Sequence, residues 1–305
     1  SLSPSTLPLC SACRCPACAP MRIVPTDEGG GLDLKGHTLV MPGCGSLGHL
    51  GELCVDAVVT TLELRRVAIV QSPHIVPVAM ISAWEMPGAT SGAITTVAEI
   101  YQGAKAPGIS VLQVRAAIRS GRRQAVATEL MSWAHAQGVK ELLVLSSCSS
   151  HVKLDADLDA STDLRYVYVG GGDAALGADV LPLGTESGPG ELTSAFNRLR
   201  GGGLARTLLS LAAEAAEAES AEPSSAAGEK FDPPPRVGGG PAVLCLLGLT
   251  GEVLDWRLVE QLSRAALGRV AQRLEAAAAP ADVRPPPSWR LAMEAEPRVE
   301  PRLWA

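Results

Sequence analysis

The stretch that most constrains this chain is Glu129–His151, ELMSWAHAQGVKELLVLSSCSSH. Val126, Leu130, Trp133 and Ala134 fall at i, i+4, i+7 and i+8, so a helix beginning near Arg122 presents one apolar stripe. Gly138 stands where a C′ glycine releases the last helical carbonyls through a positive φ. Leu142-Leu143-Val144-Leu145 then runs apolar without alternation. A strand that reads this way has to be covered on both faces, as in a parallel sheet flanked by helices. The reading ends the strand there and makes Ser146–His151 a small-residue loop. Ligands of open α/β sheets gather beyond the carboxyl ends of strands, so this loop is a candidate site.

Composition narrows the class. Of 305 residues 47% are hydrophobic but only 3% aromatic, which implies an aliphatic core. The net charge of -6 excludes a nucleic-acid face, since no basic surface with interleaved aromatics is present. The longest uninterrupted apolar run, Ala242–Leu247, is far short of the ~20 residues that span a bilayer, so no membrane is expected. Residues 1–20 lack the charged and apolar regions of a secretory signal, which points to a reducing, cytosolic setting with free thiols. Met21 is the expected true start. Cys10, Cys13, Cys15 and Cys18 crowd into the extension before it. Four thiolates can hold zinc, but these are not split into two knuckles, so a disordered or non-native extension is favoured and no metal is expected.

Along the chain, a strand at His37–Met41 leads into Gly43-Cys44-Gly45-Ser46-Leu47-Gly48 and a helix with Leu50, Leu53, Cys54, Ala57 and Val58 on one face. This is the context of a dinucleotide fingerprint. The second strand, Val67–Val70, however ends in Gln71-Ser72-Pro73, without the acid that holds a ribose hydroxyl, so a structural glycine turn is favoured and no cofactor is expected. Ile75–Ser82 is a further apolar segment with weak amphipathicity, the best candidate for a partner surface, and Glu85–Gly92 is a loop. Ile94–Tyr101 and Ile109–Arg115 read as a hairpin, which makes the sheet mixed. Leu164–Val169 is another strand. Gly201-Gly202-Gly203 precedes an Ala/Leu-rich helix at Leu204–Ala218 and lacks the Lys and Ser/Thr of a phosphate loop. Glu219–Pro241 is a low-complexity linker, expected to be disordered. Ala242–Gly248 resumes as a strand, Leu254–Ala279 as a long helix with Leu254, Leu258, Leu262, Ala265 and Leu267 inward, and 280–305 is a Pro-rich tail. The expected organisation is therefore an extension at 1–20, one α/β domain at 21–279 interrupted at 219–241, and the tail.

Catalytic chemistry finds little footing. Cys148 and His151 are a nucleophile and base by type only, with no assigned orienting group. Asp155, Asp157 and Asp159 lack the glycine and the closing glutamate of a calcium loop. Two alternatives are carried forward: a dinucleotide-dependent oxidoreductase at Gly43–Gly48, and a hydrolase using Cys148 and His151.

From Met21 to Arg290 several segments in order are similar to one family: Leu34–Pro42, Ala98–Tyr101 with Leu112–Arg115, Leu130–Trp133 with Leu143–Ser147, Gly201–Gly203 before a helix, and Ser288-Trp289-Arg290. On these the chain resembles the proteasome assembly chaperone 2 family. Residues 1–20, the linker and the extreme C-terminus depart from it. The resemblance implies a three-layer α/β/α domain with a mixed sheet, like the phosphorylase/hydrolase fold. It implies a non-enzymatic role in cytoplasm and nucleus: pairing with proteasome assembly chaperone 1, binding 20S proteasome α-subunits, promoting α-ring assembly and blocking off-pathway association. It also marks Leu303-Trp304-Ala305 as a tail that docks between α-subunits, with Trp304 where a tyrosine is usual.

Overall fold

A computed structural model describes residues 21–26, 31–84, 94–153, 160–170, 174, 176–183, 191–220, 240–251, 255–274 and 282–289. The expectations for Cys10–Cys18, the 85–92 loop, Asp155–Asp159, most of the 219–241 linker and Leu303–Ala305 lie outside the described residues.

In chain order the elements are β1 (Arg22–Pro25), β2 (Thr38–Pro42), α1 (Leu50–Thr61), β3 (Arg65–Gln71), β4 (Ala79–Ile81), β5 (Ile94–Thr96), β6 (Ala98–Gln102) and β7 (Ile109–Val114). Then come α2 (Arg123–Ala136), β8 (Glu141–Ser149), β9 (Leu164–Val169), β10 (Leu181–Pro182), α3 (Glu191–Arg198), α4 (Ala205–Ser220), β11 (Ala242–Thr250) and α5 (Trp256–Arg273). Nine strands form one sheet in the order β1-β3-β6-β7-β2-β8-β11-β9-β10, and β4 and β5 form a separate two-stranded ribbon. The centre, β7-β2-β8-β11, is parallel, while β1, β3 and β6 on one side and β9 on the other pair antiparallel.

The two faces explain the unbroken apolar run. Leu142 and Val144 point into one cluster with Leu130 of α2 and Leu208 of α4. Leu143 and Leu145 point into the other with Val58 of α1 and Leu262 of α5. Each fully buried aliphatic side chain contributes about 1.5–3 kcal/mol, so a strand apolar on both faces is held from both layers. This is the expected three-layer α/β/α domain with a mixed sheet. Gly138 ends α2 with φ +70, as its spacing requires. Asp255 caps α5 by accepting from the backbone N–H of Arg257 at 2.9 Å and of Leu258 at 3.3 Å.

Three points differ from the sequence reading. First, β8 continues through Ser146-Ser147-Cys148-Ser149 where a loop was expected. Its pairing with β11 runs on to Ser149↔Thr250, and Ser146 Oγ donates to Gly202 O at 3.0 Å, so the polar side chain is satisfied inside the strand. Second, Ile94–Tyr101 is not one strand. Thr96 donates from its backbone N–H and its hydroxyl to Glu99 Oε1, at 2.9 and 3.1 Å, and the chain crosses from ribbon to main sheet at Val97. Third, Ala265 is only half-buried, and the inward face of α5 is carried by Leu258, Leu262, Ala266 and Leu267. The Pro-rich segment also begins against the domain. Trp289 is buried, 5.1 Å from Trp256 by ring centroids, and Arg284 donates from its N–H to Thr61 Oγ1 at 2.9 Å.

Candidate functional site

The glycine turn after β2 sits at the carboxyl end of the parallel strands, where a ligand was to be weighed. Three of its amides are taken by the protein itself. The Gly43 N–H donates to Leu145 O at 2.7 Å and the Leu47 N–H to Gly201 O at 3.2 Å. The carboxylate of Glu52, in the first turn of α1, accepts from Gly45 N–H at 2.9 Å and from the Ser46 hydroxyl at 3.3 Å. A resident anion thus occupies the place at a helix N-terminus where pyrophosphate would lie. The second glycine cluster closes the turn: Leu204 N–H donates to Gly43 O at 2.5 Å, and a Cβ on Gly203 would overlap the carbonyl oxygens of Gly43 and Cys44. The strand after α1 does not lie beside β2 either. β3 is separated from it by β7 and β6. The oxidoreductase alternative is corrected on this geometry: these glycines bring backbone against backbone, and the chain fills the cradle.

The hydrolase alternative fails on position. Cys148 lies in β8 and is fully buried, with Sγ donating to Arg198 O at 3.2 Å. Burial raises its pKa, the opposite of what an activated nucleophile requires. His151 lies beyond the strand end in a short 3-10 turn, exposed, its backbone N–H on Ser149 Oγ at 3.4 Å. The other three described thiols, Cys44, Cys54 and Cys245, are buried too, and burial pushes Cys54 up to about 12. Among the described residues no group of three or more His, Cys, Asp or Glu side chains is placed to hold a metal, and no helix is long and apolar enough to cross a membrane.

The feature that sequence reasoning reached only in part is an apolar surface with a buried polar anchor. The large hydrophobic side chains exposed among the described residues are Val76, Val78 and Ile94, at 40%, 43% and 60%. All three lie in the stretch that enters, forms and leaves the β4–β5 ribbon. An apolar segment with no face turned inward was the signal for the first two; Ile94 was assigned to the hairpin and missed.

Beneath the ribbon a charged network fixes it to the sheet. Asp56 of α1 receives Arg115 at 2.8 and 2.5 Å and the Gln113 amide. Burial pushes the Asp56 carboxyl up, against the pull of Arg115. The Arg115 guanidinium stands 4.9 Å over the Trp84 ring, and Trp84 packs 5.0 Å from Tyr101 and donates Nε1–H to Thr60 Oγ1 at 3.0 Å. Tyr101 in turn donates to Glu99, which also receives Arg66 at 2.8 Å, and Arg66 reaches Ile94 O at 3.1 Å. β5 is thus tied to β3 and β6, and Trp84, just after β4, is tied to α1 and Tyr101. Such an arrangement can present a rigid apolar surface; it holds no group poised for chemistry.

Comparison with known proteins agrees with this picture. The PAC2 family model matches residues 40–227, more than half of the chain. Proteasome assembly chaperone 2 of Nematostella vectensis is 30% identical over 138 residues, covering 45% of this chain and 55% of that protein. The protein of the same name from Homo sapiens is 28% identical over 135 residues, 44% of this chain and 50% of that one. The chain spans about half the length of the curated relatives it matches. The crystal structure of Pyrococcus furiosus PbaA, an archaeal homolog of proteasome-assembly chaperone, superposes with a TM-score of 0.56 at 14% identity, over 90% of this chain and 93% of that one. Pyrococcus furiosus PbaB, an archaeal proteasome activator, gives 0.50 at 13% identity, over 85% and 91%. At such identities the structural likeness speaks for the fold alone. With the family match spanning both glycine turns, the ribbon and β8, the chain belongs to the PAC2 family.

Proposed function

We propose that this chain is a proteasome assembly chaperone that works by binding. In this reading it forms a heterodimer with proteasome assembly chaperone 1 in the cytoplasm and nucleus. The pair engages 20S α-subunits, promotes α-ring assembly and prevents off-pathway association. The observation that carries the reading is the family match over residues 40–227, joined by relatives named proteasome assembly chaperone 2. The geometry supports it in two ways. The turn at Gly43–Gly48 and the Cys148 thiol are closed to ligands, and the exposed Val76, Val78 and Ile94 offer an apolar partner surface. An interface built on such residues removes apolar area from water at about 25 cal/mol per Å² before the costs of association. The segment Leu303-Trp304-Ala305 is the proposed contact with the α-ring, with Trp304 as its aromatic anchor.

The test is reconstitution. The full chain, co-expressed with proteasome assembly chaperone 1, is expected to co-purify as a 1:1 complex and to raise the yield of α-rings from purified α-subunits. Removing Leu303–Ala305 is expected to weaken α-ring binding and leave the heterodimer intact. Failure of the two chaperones to associate, with no gain in α-rings, rejects the function; unchanged binding after removal of Leu303–Ala305 rejects its docking role.

A further inference from the structure

The apolar stretch has a charged neighbour on its own surface. Ile75 bridges Ile118, Val76 N–H donates to Ala117 O at 3.0 Å, and Arg119 N–H donates to His74 O at 2.8 Å. The chain from Ala117 to α2 therefore runs alongside His74–Val76, and it carries Arg119, Arg122 and Arg123, all exposed. Several other basic groups are neutralised where they stand: Arg264 by Glu260, Lys105 and Arg284 by Glu63, Arg115 by Asp56. None of Arg119, Arg122 and Arg123 has a carboxylate partner among the described residues. Glu129, further along α2, is engaged with His74 at 3.3 Å. The first turn of α2 holds no acidic residue. In a chain of net charge -6, this is an uncompensated positive rim beside exposed valines.

Exposed guanidinium groups repel one another and gain from an incoming carboxylate, while valines at 40% and 43% exposure gain from an incoming aliphatic group. A surface that joins the two selects for both at once. We infer that the surface formed by Val76, Val78, Arg119, Arg122 and Arg123 receives an acidic segment of a partner protein that also carries aliphatic side chains. Its guanidinium groups set which partner is accepted and how fast it arrives, and its valines hold it. The inference rests on the reading that the Val76–Val78 stretch is a partner surface, and it adds the chemistry of the partner. A second copy of this chain is the disfavoured occupant, because two such rims brought together would oppose like charges.

The experiment uses the full chain and a fluorescent dodecapeptide repeating leucine-glutamate-glutamate, with its leucine-lysine-lysine and serine-glutamate-glutamate counterparts, read by anisotropy at low and high salt. The acidic aliphatic peptide is expected to bind, the lysine peptide not to bind, and the serine peptide to bind more weakly. The Arg119→Ser/Arg122→Ser/Arg123→Ser variant is expected to bind about tenfold more weakly, the sum of three modest exposed charge contacts, with its salt dependence flattened. Val76→Ser/Val78→Ser is expected to lower affinity while keeping the salt dependence. Circular dichroism melts establish that both variants are folded. Absence of binding to the wild-type chain, undiminished binding by the arginine variant, or equal binding of the lysine peptide overturns the inference. So does self-association in sedimentation that the valine variant abolishes, because a second copy would then be the occupant. α-Ring assembly without peptide binding sinks this inference alone, and peptide binding without a chaperone 1 complex sinks the proposed function alone.

Discussion

Glu141 holds a buried ion-pair cluster at the start of β8. It is fully buried and receives Arg269 at 2.7 Å and Arg273 at 2.7 Å. Burial by itself would raise its pKa, but the hydrogen bonds from Arg273 and Arg269 outweigh it and hold the carboxyl below the ordinary value of 4.5. A carboxyl depressed on folding stabilises the native state above its unfolded pKa, and that contribution is lost as pH falls through the lowered folded value. Acid unfolding should therefore steepen below about pH 4.5. Glu141→Gln should remove that part of the pH dependence and cost about 3–5 kcal/mol at neutral pH in urea titrations, because it leaves the buried Arg269 without its anion and Arg273 without its partner. The sequence gives no hint of this triad. Glu141 reads there as the polar edge of an apolar strand, and its partners lie 128 and 132 positions away. The inertness of Cys148 was legible only in outline: its serine-rich setting spoke against a nucleophile, but its burial follows from the helical layer that covers this face of β8. Native protein should show no rapid reaction of Cys148 with a thiol-reactive dye, and full labelling only in denaturant; fast native labelling would contradict the buried position.

At the scale of elements, the strands and helices with long, consistent patterns were readable: α2 with its Gly138 stop, β9, and the core of β8. The ends of elements were not. Serines normally mark turns, so β8 was cut short at Leu145, whereas in the fold Gly202 and β11 supply the partners that keep Ser146–Ser149 extended. The glycine cluster before α4 was likewise visible as a joint, but its partner, the turn at Gly43, lies far off in sequence. Gly203 has φ +59 and no room for a Cβ, so Gly203→Ala should be severely destabilising, with loss of a cooperative melt or a marked fall in Tm. The ribbon invites a milder test. Trp84 is half-buried between Tyr101 and Arg115, so Trp84→Ala should cost less than the ~3–5 kcal/mol of a fully buried ring. Its signature would be local: faster amide exchange in β4 and β5 and weaker partner binding, with the rest of the sheet still protected. Uniform deprotection across the sheet would show that the ring supports the whole core and not the ribbon.

For the whole molecule, layer architecture was foreseeable because an unalternating strand demands two covers, whereas strand order was not, since pairing partners are remote. The connection from α4 to β11 illustrates how loosely sequence distance maps onto space. Ala215 and Ala216 near the end of α4 line one small cleft with Gly240 and Ala242. Replacing residues 221–239 with a linker of about eight Gly/Ser residues should therefore leave Tm and partner binding nearly unchanged, since loop-closure entropy varies only slowly with length. A large fall in either would give that segment a structural role. Strand order also bears on how the protein is made. β11 lies between β8 and β9 in the sheet and is buried along almost its whole length, yet it is synthesised well after both. At about 5–20 residues per second, a ribosome needs roughly 5–20 s after Ser149 to supply the strand that covers the edge of β8. During that interval the nascent chain carries an open apolar strand edge, the kind that recruits other chains. Ribosome-bound chains arrested before Ala242 should accordingly be protease-sensitive and bind general chaperones, while chains long enough to expose α5 beyond the exit tunnel should become resistant in a single step.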